Sequence, residues 1–593
     1  MVQRTKKSSL RRSDKMQVGY LAQGAAMTLR SYEVGALPIV QHYLKRMNLE
    51  AILKQYLPRD DRRIKIPTAK IVTVLVSNML LSRDPIYGVG EWAARHAPDL
   101  WGLSARQLEG LNDDCLGRGL GRVFQAVVSA FVMAVVRQVI HEFELQLKEL
   151  HNDSTTVTFT GAYTAAEQEG KRHGRPTHAI TWGHNKDHRP DLKQLLYILT
   201  VTEDGGVPVY FTSASGNVTD DETHCQTWDL LRQLVGRADF LYVADCKLAS
   251  RDNLDYLARR GGRFVTVLPG TRKEDTQFRQ RLSKDPASVA WQLVYQVKVK
   301  VQVKGQEVER VVDELSVCTP ELSSAEGYRL LWYHSTRKVE LDAAARARRT
   351  QRALAELADL QRRLASPRTR FRQRGKVDKA VQVILEEWDV ERWVVVQVTE
   401  QEEPKYRQAS RGRPSKDTQY VKEVKTRYRL SWHVDTLALM AEQVTDGVFP
   451  LITNASTMSA EEILRAYKRQ PIIEKRFSQF KTDFKVAPVY LKDVARIQGL
   501  LCVYFLVLLV QTLIERDLRR AMEREDLVSL PLYPEERDCR RPTTRRLIDL
   551  FEPVQRHVLK LLDGREEVLA TELTPLHRRI LRLLRIPSAV YTG

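Results

Sequence analysis

The feature that most limits the fold is a change of hydrophobic period near residue 150. Before it, apolar residues recur at helical spacing, as in LPIVQHYLKRMNLEAILKQYL and IPTAKIVTVLVSNMLL, where Pro67 and Thr68 stand at a helix start. A long apolar helix is expected from about 122 to 147. Then HNDSTTVTFTG alternates, which puts Asp153, Thr155, Val157 and Phe159 on one face of a strand. QLLYILTVT reads as a second strand. The turn Asp204-Gly205-Gly206 leads into VPVYFTS and makes a hairpin. THCQTWDLLRQLV reads as a helix and DFLYVADC as a short buried strand. SRDNLDYLARR reads as a helix stopped by Gly261 and Gly262, and RFVTVLP as a further strand.

Three strands with hairpin-like connections, then helix, strand, helix, strand, is the order of a ribonuclease-H-like α/β core. The core does not close there. WQLVYQVKVKVQVKG, VERVVDELSV, YRLLWYHS and ERWVVVQVT alternate around an Arg-rich helical segment, LDAAARARRTQRALAELADLQRRLA. At 593 residues the chain is also too long for one compact core. The expected architecture is α/β, with a ribonuclease-H-like catalytic core interrupted by a β-rich insertion and flanked by helical N- and C-terminal regions. Its parts are a basic disordered tail (1–30), a helical N-terminal domain (31–121) and the first part of the core (122–270). The insertion with its Arg-rich helix (271–445), the rest of the core (446–515) and a helical C-terminal region (516–593) follow.

The formal net charge of +20 points to a polyanion partner, DNA or RNA before membrane. An Arg-rich compositional bias in an ordinary enzyme would give the same number. The six cysteines, at 115, 225, 246, 318, 502 and 539, form no CxxC pair and have no histidines at zinc spacing, which fits a reducing cytosol. VFQAVVSAFVMAVV and GLLCVYFLVLLV are both shorter than the roughly 18 residues of a membrane span, so both read as buried core helices.

Three carboxylates stand out. Asp153 lies inside the first core strand, Asp245 ends the strand FLYVAD, and Glu474 sits in AYKRQPIIEKRFSQFK. A carboxylate among apolar neighbours is costly unless it is paired or binds a metal, and strand ends are where α/β folds place ligands. Taken singly, each has an ordinary reading: a strand-end turn for Asp153, a helix cap for Asp245, a surface ion pair for Glu474. Together they suit hard cations such as Mg²⁺ or Mn²⁺, and two such ions can drive phosphoryl transfer. On a helix, Tyr467, Glu474 and Lys481 recur every seven residues and Gln470 joins their stripe, although Pro471 should kink or restart the helix.

Tyr467-x2-Gln470-x3-Glu474-x6-Lys481 resembles the Y-x2-R-x3-E-x6-K signature of bacterial insertion-sequence DDE transposases. Gln470 departs from it, with Arg469 adjacent. HNDSTT and YVADCKLAS resemble the two aspartate motifs, and GHNKDHRPDLKQL and SGNVTDDET resemble connecting segments of that family. The resemblance implies Asp153, Asp245 and Glu474 as catalytic metal ligands for Mg²⁺ or Mn²⁺, with two ions. It implies DNA contacts at Tyr467, Gln470 or Arg469, and Lys481. It further implies that residues 31–121 bind DNA, and that terminal inverted repeats are bound, cleaved and joined to target DNA. Joining two ends in a synaptic complex makes a homodimer the physical expectation, and a cytoplasmic, nucleoid-associated protein without a membrane partner is expected. Two other readings stand beside it: a catalytically inactive or repurposed DNA-binding derivative, and a ribonuclease-H-like nuclease without strand transfer. Gly-Arg-Pro occurs in HGRPTH and RGRPSKD, as in minor-groove arms, a tripeptide that loops carry equally well.

Overall fold

Lys193–Thr202 is buried at every position, which makes it an interior strand and explains its nearly unbroken apolar run. On one side it pairs antiparallel with Pro208–Ser215, on the other antiparallel with Glu149–Phe159. Leu241–Val243 pairs parallel with Glu149–Phe159, and Arg263–Val267 follows it in the sheet. The helices His224–Val235 and Arg251–Arg259 lie in the crossover segments between these strands. The computed structural model describes residues 28–593 except 127, 304–305, 485, 487–488, 490, 562 and 593. The described chain forms two units: one ends at Phe264 and resumes at Arg465, and the other is Val265–Leu464.

In the first unit the helix Val494–Arg524 packs on Pro208–Ser215 and on the helices Thr68–Leu81 and Asp113–Gln125. It is apolar all round because it is buried all round; 94% of its most apolar window is covered by protein. Two expectations need correction. The long helix over 122–147 is two helices, Asp113–Gln125 and Val128–Phe143, because Ala126 takes an extended conformation between them. The C-terminal region is not wholly helical. Gln555–Lys560 and Glu566–Ala570 form a hairpin whose first strand pairs antiparallel with Thr28–Glu33. Of the tail expected over 1–30, residues 1–27 lie outside the described residues, and Thr28 to Arg30 belong to that strand.

The hairpin turn at Asp204-Gly205-Gly206 is clamped by two buried arginines. Arg516 pairs with Asp204 at 2.6 Å, and Arg476 donates to the carbonyl oxygens of Gly205 and Gly206. Gly206 has φ +63°, and a Cβ there would lie 2.8 Å from Ile472 Cγ1. Gly206→Ala is therefore expected to cost about 2 kcal/mol, through left-handed strain and displacement of the segment bearing Ile472. A lowered urea midpoint with unchanged slope would register it; an unchanged midpoint would refute it.

The second unit has Ala290–Val303, Gln306–Thr319, Arg329–Ser335 and Val448–Thr453 in antiparallel succession. The Arg-rich helix runs Thr336–Ala365, and its Arg346 is buried in a bidentate pair with Asp446 at 2.7 and 2.5 Å. With Arg374–Glu387 it covers the base of a two-stranded ribbon, Val394–Gln408 and Tyr420–Val434. Leu357, Leu360, Val381, Trp393 and Leu430 form the core there.

Candidate active site

The strand register brings the two aspartates together. The last parallel pair of the first core strand with Leu241–Val243 is His151 opposite Val243. Asp153 and Asp245 each lie two residues further on, so they project side by side beyond that pair. Asp245 also caps the turn after its strand, accepting from Lys247 N at 3.0 Å. The cap leaves Asp245 beside Asp153.

Lys186 bridges Asp153 and Asp220. Its Nζ lies 3.3 Å from Asp153 Oδ1 and 2.9 Å from Asp220 Oδ2, and it donates to Ser154 O at 2.8 Å. Ser154 Oγ donates to Asp220 Oδ1 at 2.5 Å. Burial pushes the Asp153 carboxyl up to about 6; Lys186 opposes this and Asp245 adds to it. Burial also raises Asp245, with Asp220 adding its repulsion. Burial works against the Lys186 ammonium, yet Asp153, Asp220 and Asp245 together raise its pKa.

The segment carrying Glu474 is not one continuous helix. Ala460–Lys468 and Pro471–Ser478 are separate helices, and Gln479–Asp483 is a π-turn. Pro471 has no N–H to donate, and the junction runs on three-residue bonds: Gln470 N to Tyr467 O, Ile472 N to Arg469 O, Ile473 N to Gln470 O. The seven-residue stripe is therefore interrupted. Gln470 is buried while Glu474 is exposed. The Gln470 side-chain oxygen accepts from His151 Nδ1 at 2.9 Å, and its amide nitrogen donates to Asn152 O at 3.1 Å. His151 Nε2 meets Glu149 at 2.8 Å, and Arg469 Nε donates to Glu149 at 2.7 Å. Burial raises the Glu149 carboxyl, but His151 and Arg469 pull it below the usual range. Gln470 and Arg469 fasten the glutamate helix to the first core strand.

Tyr467 is half-buried. Burial raises its hydroxyl to about 12, and Cys246, Asp245 and Glu474 add to the shift. Asp245 and Glu474 thus act electrostatically on one group. Lys481 pairs with Asp187 at 2.5 Å.

Two family models match the sequence. A domain of unknown function (DUF4277) covers residues 29–137, and the Transposase DDE domain covers residues 148–510, more than half of the chain. The chain belongs to the DDE transposase family. No curated protein matches it.

DDE transposases generally use divalent metals. The donor chemistry of this transposase fits such an ion. Asp153 and Asp245 are hard oxygen donors whose mutual repulsion a dication would relieve. The spacing is open, however: among the described residues no three His, Cys, Asp or Glu are gathered closely enough to hold a metal as they stand. The ammonium of Lys186 is the counter-charge that Asp153 and Asp220 have here.

Sequence reasoning missed Lys186, Asp220 and Asp187 as neighbours of the candidate site residues, along with the Glu149–His151 pair behind them. The signal lay in GHNKDHRPDLKQL and SGNVTDDET, whose charged residues cannot be matched to partners without the tertiary pairing.

The raised Asp153 carboxyl has a sign that can be checked in the metal-free transposase. A folded-state pKa above the unfolded one gives stability that is full below about pH 4 and lost as pH rises through about 6. Asp153→Asn, which cannot ionise, should gain on the wild type across that window by an amount on the order of 2 kcal/mol. Melting curves in chelator from pH 4 to 7 measure it, and a difference that stays flat with pH would contradict the assignment.

Proposed function

We propose that this DDE transposase mobilises an insertion sequence of bacterial type, binding terminal inverted repeats, cleaving a strand at each end and joining it to target DNA. The observation that carries the reading is the register that sets Asp153 beside Asp245, with Glu474 held over the same strand through Gln470. The strand order and directions of the first unit support a ribonuclease-H-like core. The departure at Gln470 leaves Tyr467, Glu474 and Lys481 as the signature's remaining members.

Asp153, Asp245 and Glu474 would hold one or two Mg²⁺ or Mn²⁺ ions, which when bound supply Lewis-acid stabilisation for phosphoryl transfer. Lys186 offsets the negative charge of Asp153, Asp220 and Asp245. Lys481 offers an ammonium, and Tyr467 a hydroxyl kept protonated by its surroundings, to the DNA backbone near the cut. Arg63, Lys65, Arg106, Arg118 and Arg496 line a cleft of about 1070 Å³ in the same unit, which supports binding of DNA by the N-terminal region. Two ends must be held together, so the working form is a homodimer.

A nuclease without strand transfer is the second reading, and an inactive derivative the third; the presence of all three carboxylates favours an active enzyme over the latter. Incubation of the protein with Mg²⁺, end-containing DNA and a plasmid separates them. Joined products are expected. Nicking alone would favour the nuclease, and binding without cleavage the inactive derivative.

A further inference from the structure

Among surfaces that the active site leaves unused, the ribbon of the second unit carries the most information. Its two fifteen-residue strands pair along their whole length, from Val394 with Val434 to Gln408 with Tyr420. The base is anchored: Val394, Tyr428 and Leu430 are buried, with Val396, Val398 and Trp432 packed against the same core. Beyond the base the ribbon is bare. Every residue from Thr399 to Arg407 and from Gln419 to Thr426 is exposed, so both faces meet solvent. At the rise of an extended strand, the pairs from Gln401 to Gln408 carry the tip about 25 Å outward. A two-stranded ribbon with no third layer buries too little to be held by its own packing. Core formation therefore does not explain its sequence.

The composition of the arm is one-sided. Between Lys405 and Lys425 stand seven cations, Lys405, Arg407, Arg411, Arg413, Lys416, Lys422 and Lys425, against Asp417 and Glu423. None of the seven belongs to an ion pair among those of the described residues, whereas Arg427, nearer the base, is paired with Glu403 at 2.7 Å. Tyr406 and Tyr420 are 62% and 54% exposed beside them. The tip carries Arg411-Gly412-Arg413-Pro414, exposed throughout. Gly412 is the informative residue. Its backbone is not left-handed, and a Cβ there would meet nothing within 4 Å. Neither turn geometry nor internal packing requires a glycine there. A close approach by another molecule would.

We propose that this ribbon is a DNA-gripping arm whose Arg411-Gly412-Arg413-Pro414 tip enters the minor groove of an A·T-rich duplex, while the lysines and arginines of the arm lie along the flanking phosphates. The inference rests on the reading that this protein acts on DNA, and it adds where and how one contact is made. A narrow A·T minor groove concentrates negative potential, which draws in arginine side chains. The glycine between them lets the backbone sit close to the base edges. The proline holds φ near its fixed value and removes a donor that would otherwise need a partner. A G·C pair places its N2 amino group in that groove and so changes the surface the tip would meet.

The test uses the full-length protein and short duplexes that differ only in a central A·T or G·C block. Wild type is expected to prefer the A·T block by about tenfold. Arg411→Ala/Arg413→Ala should abolish that preference and lower the slope of log affinity against log salt by about 2. Lys422→Glu/Lys425→Glu should weaken both duplexes alike. Circular dichroism checks the fold, which substitutions at an exposed tip should not disturb. An Arg411→Ala/Arg413→Ala protein that keeps its A·T preference and salt slope overturns the proposal. So does a change of sedimentation coefficient caused by either variant without DNA, since that would make the arm a contact between copies of the chain. If only the arm reading is wrong, wild type still cleaves end DNA; wild type that retards no duplex at all sinks the transposase reading as well.

Discussion

Asp153→Ala, Asp245→Ala and Glu474→Ala proteins are each expected to lose strand cleavage by about a thousandfold or more while still retarding end DNA. Asp153 and Asp245 sit two residues beyond the parallel pair of His151 with Val243, so removing either halves a two-carboxylate cluster. Burial and the neighbouring Asp245 already hold the Asp153 carboxyl up at about 6, the mark of carboxylates kept near one another in little water. Glu474 comes from a different element, and the network of Gln470, His151, Glu149 and Arg469 fixes its helix to the same strand. Each substitution removes anionic oxygen without taking cations from the basic cleft, which is why binding should survive. Gel retardation and cleavage of labelled end DNA, measured on the same preparations, decide the matter. Full cleavage by the Glu474→Ala protein would remove it from the catalytic set, and loss of retardation would assign these residues to binding instead.

The strands that carry this site were legible because their sequences satisfy local rules. HNDSTTVTFTG alternates, QLLYILTVT is apolar throughout, and Asp204-Gly205-Gly206 can only be a tight turn. The two strands and the turn stand where those patterns put them, although Glu149–Phe159 is buried on both faces rather than on one. What escaped sequence reasoning depends on partners distant in the chain. Lys186 acquires its meaning from Asp153 and Asp220, and Gln470 from His151 and Asn152, 319 and 318 residues away. The break at Pro471 was legible in the stripe of Tyr467, Gln470, Glu474 and Lys481, but the burial of Gln470 beside it was not. The C-terminal hairpin was missed for a similar reason. Gln555–Lys560 is a polar-looking strand whose partner, Thr28–Glu33, lies at the other end of the sequence.

Arg476→Met is expected to lower stability by about 3 kcal/mol and to depress cleavage with it. Arg476 is two residues from Glu474, and its side chain is 2% exposed. The guanidinium donates to Gly206 O at 3.0 Å, to Gln479 Oε1 at 2.7 Å and to Glu515 Oε2 at 3.1 Å. One side chain thereby joins the glutamate helix to the hairpin turn and to Val494–Arg524. Burial raises the Glu515 carboxyl, but Arg476 and Arg519 hold it below the usual range. Methionine fills much of the space and satisfies none of the acceptors, so Glu515 keeps its charge with less to balance it. Arg519 at 3.3 Å still helps, which places the loss at the lower end of the range for breaking a buried pair. The double variant Arg476→Met/Glu515→Met removes the stranded charge along with its partner. It should recover part of the lost stability, yet leave cleavage depressed, because the tether to the hairpin turn is still gone. Urea midpoints and cleavage rates on the two variants separate charge burial from helix positioning. Equal stability of the single and double variants would mean that Glu515 finds another partner, and normal cleavage by either would mean that Glu474 is positioned without Arg476.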